Sequence, residues 1–294
     1  MKNFYWIFLA ALFAGMLPGC TGSGNMEEED ALIVPLQYRE QTLDINGPYD
    51  VKTRTELWKP EETVVLISDM WDKHWCPEAT ARVGELAVAM DEVLDVMRAK
   101  GITIVHAPSE CLEFYENHPA RLKIAGYDGA AYVKYTDGVK KLPSEAGATW
   151  PIDPNDEGCA DPEAYPHKVW SRINELVTVK DEDVISADGA QLGAYFNDHG
   201  IKNVIMMGVH TNMCVMHRTY GLRTMKRLGM NVVLMRDMTD LMYNPQKWPY
   251  VSHWKGLDLM IEYIEKYVCP TVLSSDFTGR PPFVFSEARN EAGK

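Results

Sequence analysis

The chain is predicted to be an α/β protein, a three-layer αβα sandwich around an open, mostly parallel, Rossmann-like sheet. Three observations lead there. Short runs of β-branched and apolar residues recur along the chain, as strands buried on both faces require. Between them apolar residues return at helical spacing. Several runs end on side chains able to do chemistry, and open α/β sheets bind their ligands beyond the carboxyl ends of their strands.

The elements follow in order. Residues 32–57 alternate loosely around a turn signal at Asn46-Gly47-Pro48 and predict an N-terminal β extension of open pairing. Val64-Val65-Leu66-Ile67-Ser68 is a continuous strand-like run that ends at Asp69. Val83, Leu86, Ala87, Met90, Leu94 and Met97 then share one face of a helix over 77–99, closed by Gly101. Ile102-Thr103-Ile104-Val105 makes the next strand. Residues 107–170 are irregular and rich in Pro, Gly, Tyr and Asp; an excursion of that length is uncommon unless it builds or covers a site. Leu176-Val177-Thr178-Val179 predicts a strand ending at Lys180, followed by a helix over 191–198. Strands at 204–207 and 231–235 flank a helix over 213–228, and a helix at 255–268 precedes a last strand at 271–273. Alternation of this kind builds parallel sheets.

A length of 294 residues fits one domain of about 250 residues plus a leader. The formal charge of −13, with no Lys/Arg cluster, argues against a nucleic-acid partner. Residues 1–24 read as an address. Lys2 precedes an apolar stretch over 4–16, too short for a membrane span, and then Leu17-Pro18-Gly19-Cys20. This resembles a bacterial lipoprotein signal that leaves Cys20 as a lipidated N-terminus, although Pro18 departs from the usual small residue. Residues 25–61 comprise an acidic tether, containing Glu27-Glu28-Glu29-Asp30, and the β extension. The expected membrane contact is this lipid anchor alone, in the bacterial cell envelope, with the domain facing the periplasm or cell exterior. The main domain spans 62–275, and 276–294 reads as a C-terminal tail. Without Cys20, five cysteines remain, so at least one is unpaired within the chain. If that one is Cys214, then Cys76, Cys111, Cys159 and Cys269 allow three pairings.

Cys214 stands where an apolar run breaks at Gly208 and a helical pattern begins. A thiol at such a turn meets backbone N–H groups that lack helical partners, which favour a thiolate and can hold an oxyanion. Taken alone, a buried apolar cysteine is the plainer account. Asp69 and Lys180, at other strand ends, supply what a nucleophilic thiol needs: a base whose pKa burial raises, and a cation that steadies the charges.

These residues resemble the isochorismatase-like cysteine hydrolases, which include nicotinamidases, N-carbamoylsarcosine amidases, ureidoacrylate and biuret amidohydrolases, and isochorismatases. The likeness covers about residues 62–275. It rests on Asp69 closing Val65-Leu66-Ile67-Ser68, on Lys180, and on Gly208-Val209-His210-Thr211-Asn212-Met213-Cys214-Val215. Asp237 resembles an acidic position often found after the following strand. The resemblance implies Asp69 as base, Lys180 as charge stabiliser and Cys214 as nucleophile. It also implies a cis Val209–His210 peptide that aims the N–H groups of His210 and Cys214 at the oxyanion. The implied activity is hydrolysis of a C–N amide-type bond of a small molecule through an acyl-enzyme. Two alternatives stand beside it: vinyl-ether hydrolysis as in isochorismatases, which needs no thiol, and a catalytically silent small-molecule binding protein on the same fold.

No cofactor is required for the thiol chemistry. The nicotinamidases bind a metal through Asp-x-His after the second strand, where this chain has His106-Ala107-Pro108-Ser109-Glu110-Cys111. Asp72-Lys73-His74 follows the first strand instead. With His106, Asp72 and His74 would make a displaced site for a divalent metal such as zinc, the plainer account being hydrogen-bonded loop residues. Trp71, Trp75 and His210 are candidates for the substrate pocket, with Phe114 and Tyr115 nearby in sequence; rings there stack flat molecules, or else cap the core or an oligomer contact. Relatives commonly associate, so a homo-oligomer of unspecified number is a further expectation.

Overall fold

A strand buried on both faces needs apolar residues at every position, and the run after Thr63 supplies them. In this computed structural model, which describes residues 31–42, 47–155, 157–161, 164 and 168–293, that run is one of eight strands in a single sheet. They are β1 (Leu32–Gln41), β2 (Tyr49–Trp58), β3 (Thr63–Ser68), β4 (Thr103–Ala107), β5 (Val184–Ile185), β6 (Asn203–Val209), β7 (Asn231–Asp240) and β8 (Thr271–Val272). The spatial order is β2-β1-β8-β7-β6-β3-β4-β5. All pairings from β8 across to β5 are parallel, while β1 pairs antiparallel with β2 and β8.

The helices are α1 (Pro77–Ala99), α2 (Pro119–Leu122), α3 (Gly189–Asp198), α4 (Cys214–His217), α5 (Leu222–Arg227), α6 (His253–Tyr267), α7 (Ser275–Thr278) and α8 (Ser286–Ala292). Val65 and Ile67 of β3 face a core shared with α1 and α7, whereas Val64 and Leu66 face one shared with α3, α4, α5 and α6. Period-two alternation in one buried strand thus serves two helical layers. The α/β sandwich is as expected.

The winding of the sheet places the site. From β3 the chain builds outward through β4 and β5, then returns to the other side of β3 and builds outward through β6, β7 and β8. The crevice between β3 and β6 is therefore the topological switch point, where the connections leave in opposite directions and open a cleft. Ser68 lies opposite Gly208 there, so Asp69 and the segment leading to Cys214 leave the sheet side by side.

Three details depart from expectation, and the open pairing of the N-terminal extension is filled. The strand at 176–179 is absent: Val177 N–H turns back to Asn174, and Thr178 is held by Asp91 of α1, so the two-residue β5 fills that place in the sheet. The helix over 213–228 is split into α4 and α5. The N-terminal extension is a full hairpin, with Leu32 to Gln41 paired through to Trp58 and Tyr49. Residues beyond 275 are not a free tail, because Phe277 and Phe285 are buried in the core with α1 and Ser286 N–H donates to Glu85. The signal segment and its lipidation residue Cys20 lie outside the described residues.

Candidate active site

Two backbone features shape the cleft. Asp69 has a φ of 43°, in the left-handed region that Asp tolerates better than most residues. Gly208 has a φ of 101°, and a Cβ there would meet the Ser68 carbonyl oxygen at 2.1 Å. Glycine is thus required for β6 to pass β3 closely enough. The Val209–His210 peptide is cis, as the resemblance implies.

Asp69 is fully buried. Its Oδ1 accepts the Ser109 N–H at 2.7 Å, and its Oδ2 lies 3.4 Å from Arg218 Nε. Ser109 is itself fixed: its hydroxyl meets the Tyr220 hydroxyl at 2.7 Å, and its carbonyl accepts Trp71 Nε1–H at 3.1 Å. Burial raises the Asp69 carboxyl above the ordinary range, and Arg218 partly opposes this. Cys214 opens α4, partly exposed, with its thiol under the electrostatic influence of both Asp69 and Arg218. Burial and the Asp69 charge push the thiol well above its usual pKa, while Arg218 pulls it down.

Arg218 is the group that the linear pattern missed. Its N–H closes a helical turn onto the Cys214 carbonyl at 3.0 Å, after which the backbone extends at ψ 161° and ends α4. The spacing carried a signal, since any helix opening at Cys214 brings residue 218 one turn along beside it. Lys180, by contrast, is not in the cluster. Its ammonium binds Asp95 Oδ1 of α1 at 3.0 Å, with 38% of the side chain exposed. The cation beside Asp69 and Cys214 is Arg218, and Lys180 is corrected to a surface ion pair.

Among the described residues, the N–H groups of His210 and Cys214 make no loop or turn hydrogen bond. They are the donors expected at an oxyanion site. The loop that carries them is braced from below. Thr211 N–H donates to the Asp240 carbonyl at 2.8 Å, and the Asn212 side chain exchanges hydrogen bonds with the Met242 backbone. Buried Asp240 binds Arg82 Nε and His253 Nε2, each at 2.8 Å, and its Oδ2 lies 3.9 Å from His210 Nε2. Burial would raise the Asp240 carboxyl, but Arg82 and His253 hold it well below the carboxylate range. Asp240 therefore takes the place expected of Asp237, whose carboxylate instead anchors Ser274 and Phe283 N–H.

The remaining expected residues separate. Trp71 is buried and stacks on Trp170 at 4.1 Å, so it buttresses the Asp69 loop instead of presenting an open face. Trp75 packs beside Met213 in a small cluster with Cys76 and Ala79. Tyr115 is in the core and Phe114 is exposed. His210 is buried, with its ring edge-on to His74 at 4.9 Å and its Nε2 without a hydrogen bond. A cavity of about 430 Å³ opens beside His74, lined also by Lys73, Pro77, Thr80 and Val169.

Asp72, His74 and His106 do not fit a metal. Asp72 receives Ser171 and Arg172, His74 Nδ1 accepts the Cys76 N–H, and His106 Nε2 is on Asp183 at 3.0 Å. No group of three or more metal-binding side chains occurs among the described residues. One disulfide, Cys76–Cys159, ties the long excursion to the start of α1, and Cys111, Cys214 and Cys269 are free thiols.

No protein-family profile matches the chain, and no curated protein does. Solved structures do. One is a cysteine hydrolase from Pseudomonas syringae pv. phaseolicola 1448A, at 14% identity and TM-score 0.46, covering 75% of this chain and 92% of that one. A second is an isochorismatase family protein from Burkholderia thailandensis, at 16% identity and TM-score 0.41, covering 74% and 95%. A third is a pyrazinamidase of Pyrococcus horikoshii in complex with zinc, at 17% identity and TM-score 0.38, covering 72% and 98%. The chain is similar in structure to isochorismatase-family and cysteine hydrolase proteins.

Proposed function

We propose that this chain is a cysteine hydrolase that cleaves a C–N amide-type bond of a small molecule. The meeting of Asp69, Arg218 and Cys214 at the β3–β6 switch point carries the proposal. Buried Asp69 and partly exposed Cys214 together hold one proton beside one guanidinium. Moving that proton from Sγ to the carboxylate keeps the cluster neutral, so the thiolate forms without adding a net charge to the site. The Cys214 thiolate attacks the acyl carbon, and the carbonyl π pair moves to oxygen, where the N–H groups of His210 and Cys214 receive it. When the oxyanion collapses, the C–N bond breaks and Asp69 returns the proton to the leaving nitrogen. Water then gives its proton to Asp69 while its oxygen attacks the thioester carbon; collapse of that adduct breaks the C–S bond and releases the acid, and Asp69 returns the proton to Cys214 Sγ, restoring the thiol.

The test is a panel of small amides, carbamoyl compounds and ureides with ammonia detection, run on wild type and Cys214→Ala. Release that depends on Cys214 supports thiol-dependent hydrolysis. Equal release by both proteins, or none by either, counts against it.

We propose also that the domain is held in the cell envelope by a lipidated Cys20. The Cys76–Cys159 bond supports an oxidising compartment. Cys20→Ser is expected to move the protein from the membrane fraction to the soluble fraction; an unchanged distribution would exclude the anchor.

A further inference from the structure

The outer edge of the sheet is β2, and among the described residues nothing pairs with its far side. The strand has ten residues, no proline, and exposed positions on both faces, with Val51 49% and Leu57 45% exposed. A long edge of unpaired N–H and C=O groups is a template for another strand. Asp50, Lys52, Arg54 and Glu56 project to one face and Val51, Thr53, Thr55 and Leu57 to the other, by strand alternation.

We propose that β2 pairs antiparallel with β2 of a second copy of this chain, about a two-fold axis at Arg54. In an antiparallel ladder, residues directly opposite each other belong to the same hydrogen-bonding class. A strand paired with its own copy must therefore match positions of equal parity. Two such registers use nearly the whole strand. With the axis at Thr53, Asp50 faces Glu56 and Lys52 faces Arg54, so both charged pairs repel. With the axis at Arg54, Lys52 faces Glu56, Val51 faces Leu57 and Thr53 faces Thr55, and symmetry makes each contact twice. Shorter registers leave Val51 or Leu57 without a partner. Arg54 alone meets its own copy, and its guanidinium already sits 3.0 Å from Glu56 and over the Tyr38 ring. The contact is isologous, so it closes at a dimer and does not propagate into a fibre.

Sedimentation velocity on the full chain in mild detergent tests this, with circular dichroism confirming that each variant is folded. Wild type is expected to be a dimer. Lys52→Glu sets like charges opposite each other and is expected to weaken association by about tenfold or more. Lys52→Glu combined with Glu56→Lys restores opposite charges in the same register and is expected to restore the dimer. Arg54→Cys, mildly oxidised, is expected to form a covalent dimer that wild type does not. A monomeric wild type, a Lys52→Glu protein that associates as wild type does, a double variant that stays dissociated, or no Arg54→Cys cross-link would each overturn the interface.

Discussion

Arg218 sets how the Asp69–Cys214 pair holds its proton. Asp69→Asn removes a charge that raises the thiol and leaves Arg218 in place. The thiol is therefore expected to ionise at lower pH, read by thiolate absorbance, while amide turnover falls by about 10²–10⁴-fold for want of a proton carrier. An unchanged thiol titration would show that the two groups do not interact. Arg218→Gln removes the cation that lowers both groups. The acid limb of the pH–rate profile is expected to move to higher pH, with kcat/KM down by about 10²-fold and partly recovered in Arg218→Lys. Lys180→Ala is expected to leave turnover within about twofold, since an exposed ion pair such as that with Asp95 contributes little. Asp69 and Cys214 were legible because each ends a strongly patterned strand or opens the helix after one. Lys180 was misread because its position along the chain carries no direction: Asp91 and Asp183 tie residues 178–180 to the outside of α1.

Alternating strands and helices encode the parallel centre of the sheet, whereas the breaks within elements leave no mark on the periodicity. The run over 213–228 has helical periodicity throughout, but close packing ends α4 after one turn. A Cβ at Gly221 would meet the Val215 carbonyl oxygen at 2.8 Å, so only glycine allows the chain to fold back there. The disulfide could not be chosen among three pairings, because it depends on residues 158–159 packing against Met242 and Asn244, beyond the end of β7. It closes a separation of 83 residues. Cys76→Ser is expected to lower unfolding free energy by about 2–4 kcal/mol in non-reducing denaturation. An equal denaturation midpoint in wild type and variant would show that the bond does not constrain the unfolded chain.

Across the whole molecule, buried imidazoles link stability to pH. Burial, with Arg82 nearby, lowers His74 to about 4. Such a group binds protons more readily in the unfolded chain, so its contribution is complete above about pH 6.5 and lost as pH falls toward 4. The cost at that end is on the order of 3 kcal/mol. His74→Gln is expected to flatten the fall in stability between these limits, measured by denaturant titration at each pH; an identical fall would place the linkage elsewhere. In the proposed reaction Cys214 carries the acyl group. Acid-quenched reactions with the amides that respond in the panel, followed by peptide mass mapping, test it most directly. A transient adduct with the mass of the acyl fragment is expected on the Cys214 peptide and absent from Cys111 and Cys269. Sustained turnover by Cys214→Ala, or an adduct on any other residue, would contradict it.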